Sequence, residues 1–284
     1  MTENCSIVDL INAYLQDDAT NIPVFHAVAL RLQQVLGQDD FNIDEVNRLI
    51  TADPGLASQV LRVSNSSFYS GLNKITTIRD AIVRLGASSV ANIAMLATQQ
   101  DMYRSADAKL NGIMGALWKH AYCCAIGARW LAGRINLNAL AEEAFLAALL
   151  HDIGKLHLLK IMEEIIKGGK AGMAVSPALL VEVINSRHVE QGHRLMEKWS
   201  MPEAYCAVVH DHHAAQWDKG NLLLALVRLA NHACNKAGAG MHAEPELLLF
   251  ASDEAQVLGI REITLAELEI VIEDAITKTL PRAH

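Results

Sequence analysis

The sequence is short of aromatic residues, prolines, cysteines, positive charge and long apolar runs, and each shortage excludes something. Aromatics are 5% of the 284 residues and prolines number 6, which disfavours a β-sandwich, whose strands draw on aromatic and β-branched side chains. The 5 cysteines are an odd count with no Cys-x-x-Cys pair, so the expectation is reduced thiols in a cytoplasm, packed in a core, rather than disulfides or a zinc finger. No apolar run approaches the roughly 18 to 20 residues of a membrane span. The longest, near residues 144–150 and 222–227, have the length of core helices. The opening Met1-Thr-Glu-Asn-Cys5 has no basic cluster and no apolar stretch behind it, so no signal peptide is expected. With 24 Lys+Arg against 32 Asp+Glu the formal charge is −8, and the basic residues lack aromatic interleaving, which argues against nucleic acid as a partner.

What is present is helical. Hydrophobic residues at 51% and charged residues at 20% exclude disorder and allow a sizeable core. Ile43, Val46, Leu49 and Ile50 recur at helical spacing, and Asp53-Pro54 offers an N-cap with proline at the first position of the next helix. Thr77 to Asp80 opens a helix carrying Ile82, Val83 and Leu85, ended by Gly86. Further helices are expected over 88–103, 110–132 and 139–150, with a turn at 133–138 and a loop at 167–172. Ser176-Pro177 starts a helix towards Trp199, Met201-Pro202 breaks it, and a short helix then reaches His210. A very apolar helix follows over 222–234, then a loop over 237–245, and Thr264 to Glu267 predicts a capping box for a last helix ending near Leu280. The expected fold is all-α, with an N-terminal helical part over 1–109, a helical core over 110–235, and a loop plus amphipathic helix over 236–284.

Among 12 histidines, three groups are placed to converge on metal: His120, the pair His151-Asp152, and His188 with His212-His213. Imidazole and carboxylate donors suit Fe, Mn or Zn, and a carboxylate can bridge two ions. The spacing sets the groups on different helices, which is how helical bundles build internal sites. His151-Asp152 ends a strongly apolar helix, where polar groups need hydrogen bonds or a metal to offset desolvation. Each group also has a structural reading: a solvated helix end for His151-Asp152, a hydrogen-bonded core residue for His120, an exposed helix end for His210, His212 and His213. His26, His157, His193, His232, His242 and His284 show no partner pattern and are expected to be structural or surface residues. Cys123 and Cys124 are neighbours that cannot share a helix face, and Cys206 has no partner at zinc-finger spacing, so core packing is the expected role of the thiols.

Several elements together resemble the HDOD family. Ile50, Asp53, Pro54 and Leu56, then Leu61, Arg62, Asn65, Ser66, Phe68 and Tyr69, are similar to its "I..DP.L....LR.aNS.fY" signature. Ile75, Ile78, Ala81, Ile82, Leu85 and Gly86 resemble the element that follows, and Leu117-Trp118-Lys-His120, Leu150-His151-Asp152-Ile153-Gly154-Lys155, and His188 to Pro202 with Gly192 and Trp199 fit later ones. The resemblance covers most of the chain. It implies an all-α relative of the HD superfamily of metal-dependent phosphohydrolases, with an HD-like helical core, acting in bacterial signalling as a regulatory or interaction module. Measured against the related HD-GYP phosphodiesterases, it implies His120, His151, Asp152, His188, His212 and His213 as ligands of one or two divalent ions. Asn231 stands at the late acidic position and Ala116 where some two-metal relatives carry Glu, which weakens the first site of His120, His151 and Asp152. The second set, Asp152, His188, His212 and His213, is complete. Lys155 holds the position of a lysine that steadies a phosphoryl oxygen, and the Gly-Tyr-Pro motif is absent. A signalling protein partner and a small phosphorylated ligand are implied, with no membrane and no nucleic acid. The alternative is a phosphohydrolase using metal-activated water, with Asp152 and Lys155 as catalytic residues.

Overall fold

The computed structural model describes residues 7–16, 25–38, 40–66, 69, 74–168, 177–241 and 243–277. Among these the chain is all α, without strands. Cys5, Ser67, Phe68, Ser176, His242, His284, residues 169–172 of the expected loop and the expected helix end near Leu280 lie outside the described residues. The fold separates into two compact units. One takes in Phe25–Met102 with Glu197–Glu203, and the other the described part of Met1–Val24 with Tyr103–Met196 and Ala204–His284.

The larger unit opens with α1 (Ile7–Gln16). The smaller unit follows with α2 (Ala27–Leu36), α3 (Ile43–Thr51), α4 (Pro54–Ser64), α5 (Ile78–Leu85) and α6 (Ala87–Met102). Its starts are the ones that local chemistry predicts. Asn42 caps α3 by accepting from the Asp44 N–H, Asp53 caps α4 from Leu56 with Pro54 in the first turn, and Thr77 caps α5 from Asp80. Gly86, at φ +86°, ends α5 in a conformation that side-chain-bearing residues avoid. Asn65 joins α4 to the segment before α5: its amide donates to Leu61 O and Ile75 O, and its carbonyl accepts from Ile75 N, each at 2.8 Å. α6 packs on α2, α4 and α5 over a core that includes Val46, Ile50, Val60, Ile82 and Ile93. Val83 faces away, 81% exposed.

The larger unit continues with α7 (Ala108–Arg134), a 3-10 turn (Asn138–Leu140), α8 (Ala141–Leu150), α9 (Ile153–Lys167), α10 (Pro177–Lys198) except its last two residues, and α11 (Glu203–Asp211) except its first. It closes with α12 (Leu222–Lys236), a 3-10 turn (Leu249–Ala251), α13 (Asp253–Val257) and α14 (Glu262–Thr277). α7 is the central rod, packed against α8, α12 and α14, and every residue of α8 from Ala144 to Leu150 is buried. Gly154, the second residue of α9, lies against the α10 backbone: a Cβ there would sit 1.9 Å from His188 O and 2.7 Å from Gly192 N.

Three expectations need correction. Thr264 is not an N-cap. α14 begins at Glu262, the Thr264 and Leu265 N–H groups bond Arg261 O, and Thr264 is buried. The stretch before that helix is not one loop, because Ser252 caps α13 by accepting from Ala255 N. Lys167 is the last residue of α9, not the start of a loop.

Candidate metal centre

Four histidines are set by main-chain carbonyls to face one carboxylate. Asp152 occupies the two-residue break between α8 and α9, where His151 caps α8 and Asp152 precedes the first turn of α9. His120 projects from the middle of α7, His188 from α10, and His212 follows the end of α11. Each ring donates its Nδ1–H to a carbonyl oxygen: His120 to Ala239 at 2.6 Å, His151 to Ala148 at 2.7 Å, His188 to Asn185 at 3.0 Å, His212 to Val209 at 2.8 Å. A carbonyl only accepts, so the proton sits on Nδ1 and each Nε2 presents a lone pair.

Those lone pairs converge. His188 and His212 bring Nε2 to 3.5 and 3.4 Å from Asp152 Oδ1, while His120 and His151 come to 3.7 and 3.4 Å from Oδ2. Asp152 Oδ1 and the Nε2 atoms of His151, His188 and His212 are buried without hydrogen-bond partners. Acceptors facing acceptors inside a protein are costly, of the order of 1–3 kcal/mol for each orphan, and a divalent cation between them removes the conflict. Asp152, His188, His212 and His213 have donor atoms that all lie within 4.8 Å of one another, a group that could hold a metal ion.

The charges agree with this arrangement. Burial raises the Asp152 pKa, but Lys155 Nζ at 2.8 Å and the facing histidines outweigh it and hold the carboxyl well below its ordinary value. Burial lowers His188 to about 4, partly opposed by Asp152 and reinforced by Lys155 and His212. His213 keeps an exposed edge, yet protein crowding around its ring, with His212 beside it, lowers it to about 3. In metal-free protein both rings therefore stay neutral when folded, whereas in the unfolded chain they take up protons from pH about 6.5 downward. The unfolded state binds more protons in that window, so stability is expected to fall as pH drops from about 6.5 towards 4. The His188 share is of the order of 3 kcal/mol. Thermal midpoints of metal-stripped protein between pH 7 and pH 4 check this, and a flat profile contradicts it.

A cavity of about 310 Å³ opens beside the cluster, lined by His120, Asp152, Lys155, His188, His213 and Asn231, with Met241 and Glu244 at the far side of the chain order. Asn231 is buried on α12. His212 and His213 ride on a segment moored from below: Arg228 Nη1 lies 3.1, 3.0 and 3.0 Å from the carbonyls of Asp211, His212 and Ala214. Arg228 Nε bonds Glu254 on α13 at 2.6 Å.

The structure thus brings His120, His151, Asp152, His188, His212, His213 and Lys155 into one neighbourhood. His210 is not among them; it is exposed, bonded to Asp211 at 2.6 Å, with its ring edge-on to that of His193. His26 sits near Asp53 and His232 near Glu254. Arg228 and Glu254 had no signal in the sequence, since their link crosses a stretch that looked like loop. Cys124 lies four residues after His120, on the same face of α7. Cys123, Cys124, Cys206 and Cys234 are buried thiols outside any disulfide, as core packing requires.

The HDOD domain profile matches residues 22–215. An HDOD domain protein of unknown function from Geobacter sulfurreducens superposes with a TM-score of 0.74, at 23% identity over 95% of this chain and 97% of that one. A Shewanella amazonensis protein described as a candidate metal-dependent phosphohydrolase gives 0.64 at 20% identity, over 95% and 97%. A candidate signal transduction protein from Marinobacter aquaeolei gives 0.68 at 20%, over 96% of this chain and 64% of that one. An uncharacterized Treponema pallidum protein is 23% identical over 205 residues, 71% of this chain, which spans 39% of that relative's length. No described helix is long and apolar enough to cross a membrane.

Proposed function

The chain belongs to the HDOD domain family, and on that premise we propose that it is a bacterial signal-transduction module that works by binding a partner protein. Asp152, His188, His212 and His213 hold a divalent transition metal as part of that module, and the adjoining cavity receives a small phosphorylated ligand. The observation that carries the metal is the set of orphaned Nε2 and Oδ1 atoms facing one another. A bound divalent ion supplies positive charge and Lewis acidity towards phosphoryl oxygens. The chain's own groups do the rest. The Lys155 ammonium keeps Asp152 ionised, the main-chain carbonyls hold the rings in the ligating tautomer, and Lys155, Asn231 and Asn235 line the cavity with donors.

A binding role is favoured over turnover because Asn231 brings no charge where related two-metal phosphodiesterases have an acid, and because Lys155 already engages Asp152 Oδ2. The second reading, a metal-dependent phosphohydrolase in a cytoplasmic setting, draws on the same lysine beside an open cavity. Protein purified without chelator, with a panel of phosphomonoesters and diesters, decides between them. The signalling role predicts no turnover above that of Asp152→Asn. Robust hydrolysis lost in that variant overturns the signalling role and establishes the second reading.

Asp152→Asn also tests the site itself. It removes the charge that four rings face and leaves Lys155 without its partner, so metal affinity is expected to fall at least about 100-fold. Calorimetric titration with zinc or manganese measures it, and unchanged affinity contradicts the assignment.

A further inference from the structure

α14 is apolar on two sides. Leu265, Leu268, Ile272 and Ala275 are buried where the helix packs against α7 and α12. Ile263, Ala266 and Ile270 lie on the opposite side and are exposed, Ile263 by 59% and Ile270 by 62%. Their spacing of three and then four residues sets them in one row over two turns, where a surface helix ordinarily carries polar residues. The 3-10 turn Leu249–Ala251 packs against the same helix, and on either side of its buried Leu249 the side chains of Leu248 and Phe250 are exposed by 59% and 51%. Among the described residues five large hydrophobics are more than half exposed, and four of them are these. Single exposed apolar residues are ordinary, whereas a group of them marks a surface that another molecule covers.

The charge around the row has one sign. α14 holds Glu262, Glu267, Glu269, Glu273 and Asp274 and no Lys or Arg; Arg261 stands just before it. With 3.6 residues per turn, Glu262, Glu269 and Glu273 border the row on one side and Glu267 and Asp274 on the other. Arg134 meets Glu267 at 2.8 and 3.3 Å, and Lys236 meets Glu269 at 2.7 Å, which ties α14 to α7 and α12. The remaining three acids, all exposed, keep both borders negative.

We propose that this face docks a basic amphipathic helix of the partner protein, with apolar residues along Ile263, Ala266 and Ile270 and Lys or Arg along the acidic borders. The proposal rests on the signalling role and names the surface and the kind of partner for it. Charge decides among the occupants. A second copy would set acid against acid across the row, and an anionic lipid surface would meet the same repulsion. A helix with basic flanks is attracted on both borders, and Ala266 leaves room between the two isoleucines for a large side chain of the incoming helix. Two turns of contact suit a weak, transient complex.

The probe is a synthetic helix with a Leu row bordered by Lys, beside a twin with Glu in place of Lys and a permuted Lys peptide that lacks the row. Fluorescence anisotropy with the full-length protein is expected to show the Lys peptide binding at least about 10-fold more tightly than either control, and the double variant Ile263→Ser, Ile270→Ser losing about 30-fold. Val83→Ser, which changes an even more exposed side chain on α5, should leave the affinity as it is. Methyl NMR of the wild type needs no variant: the Ile263 and Ile270 signals should shift on adding the Lys peptide, while those of Ile82 and Ile93, buried in the smaller unit, stay in place. Equal affinity for the Lys and Glu peptides, unchanged affinity in the double variant, or shifts that miss both isoleucines overturn the proposal. Dimerisation, or binding to phosphatidylserine vesicles, that the double variant abolishes gives the face to another occupant and also overturns it. Asp152-dependent hydrolysis with the Lys peptide still bound overturns the signalling role alone; no hydrolysis and no peptide binding overturn this surface alone.

Discussion

Gly154→Ala is expected to cost roughly 3 kcal/mol or more and to lower the thermal midpoint by roughly 10 °C. The added methyl would sit 1.9 Å from His188 O, 2.8 Å from His188 C and 2.7 Å from Gly192 N. All three are backbone atoms, so no rotamer change relieves the overlap and α9 has to move away from α10. That motion carries Asp152 away from His188, so zinc affinity falls with stability. Gly192→Ala is the contrast. Its methyl meets Val209 Cγ1 at 2.8 Å and Gly154 N at 3.3 Å, a milder overlap than the 1.9 Å approach at Gly154, and a smaller loss of about 1–2 kcal/mol with metal binding retained is expected. Calorimetric unfolding of the two variants checks the pair. A Gly154→Ala protein as stable as wild type contradicts the close approach on which the site's geometry depends.

Arg228→Ala is expected to cost roughly 3–5 kcal/mol, the magnitude for breaking a buried ion pair by removing one partner. Glu254 is 2% exposed. Burial raises its pKa, but its hydrogen bond to Arg228 outweighs that and keeps the carboxyl below its ordinary value. Without the guanidinium a buried carboxylate is stranded and the carbonyls of Asp211, His212 and Ala214 lose their common donor. The second consequence distinguishes this pair from an ordinary structural one, because the freed segment carries His212 and His213. Metal affinity should therefore fall together with the thermal midpoint. Arg228→Lys keeps the charge but not the fork of donors, and should be intermediate in both. Wild-type zinc affinity in Arg228→Ala contradicts a mooring role.

How much of this was legible in the sequence depended on the range of the interactions. Asp53-Pro54, Thr77 and Gly86 mark helix ends through contacts within four residues, and the structure has those ends. Thr264 to Glu267 carried an equally good local pattern, yet α14 starts earlier at Glu262 and Thr264 is buried; packing overrode the cap. The family resemblance implied His120, His151, Asp152, His188, His212 and His213 as candidate ligands, and the spacing of the histidines placed them on separate elements. What sets their tautomers was not visible. His120 is fixed by a carbonyl 119 residues away, and main-chain carbonyls leave no mark in residue types. The Arg228–Glu254 mooring was hidden because Glu254 lies in a helix of five residues, too short for periodicity to show.

The central claim is that Asp152 and the histidines facing it hold a divalent ion, and metal analysis of protein purified without chelator tests it most directly. The prediction is at least about one transition-metal ion per chain, removable by chelator, restored on adding metal with a matching rise in thermal midpoint, and lost in the His188→Ala, His212→Ala double variant. A chain that emerges without metal, takes up none on reconstitution and gains no stability from it would contradict the account.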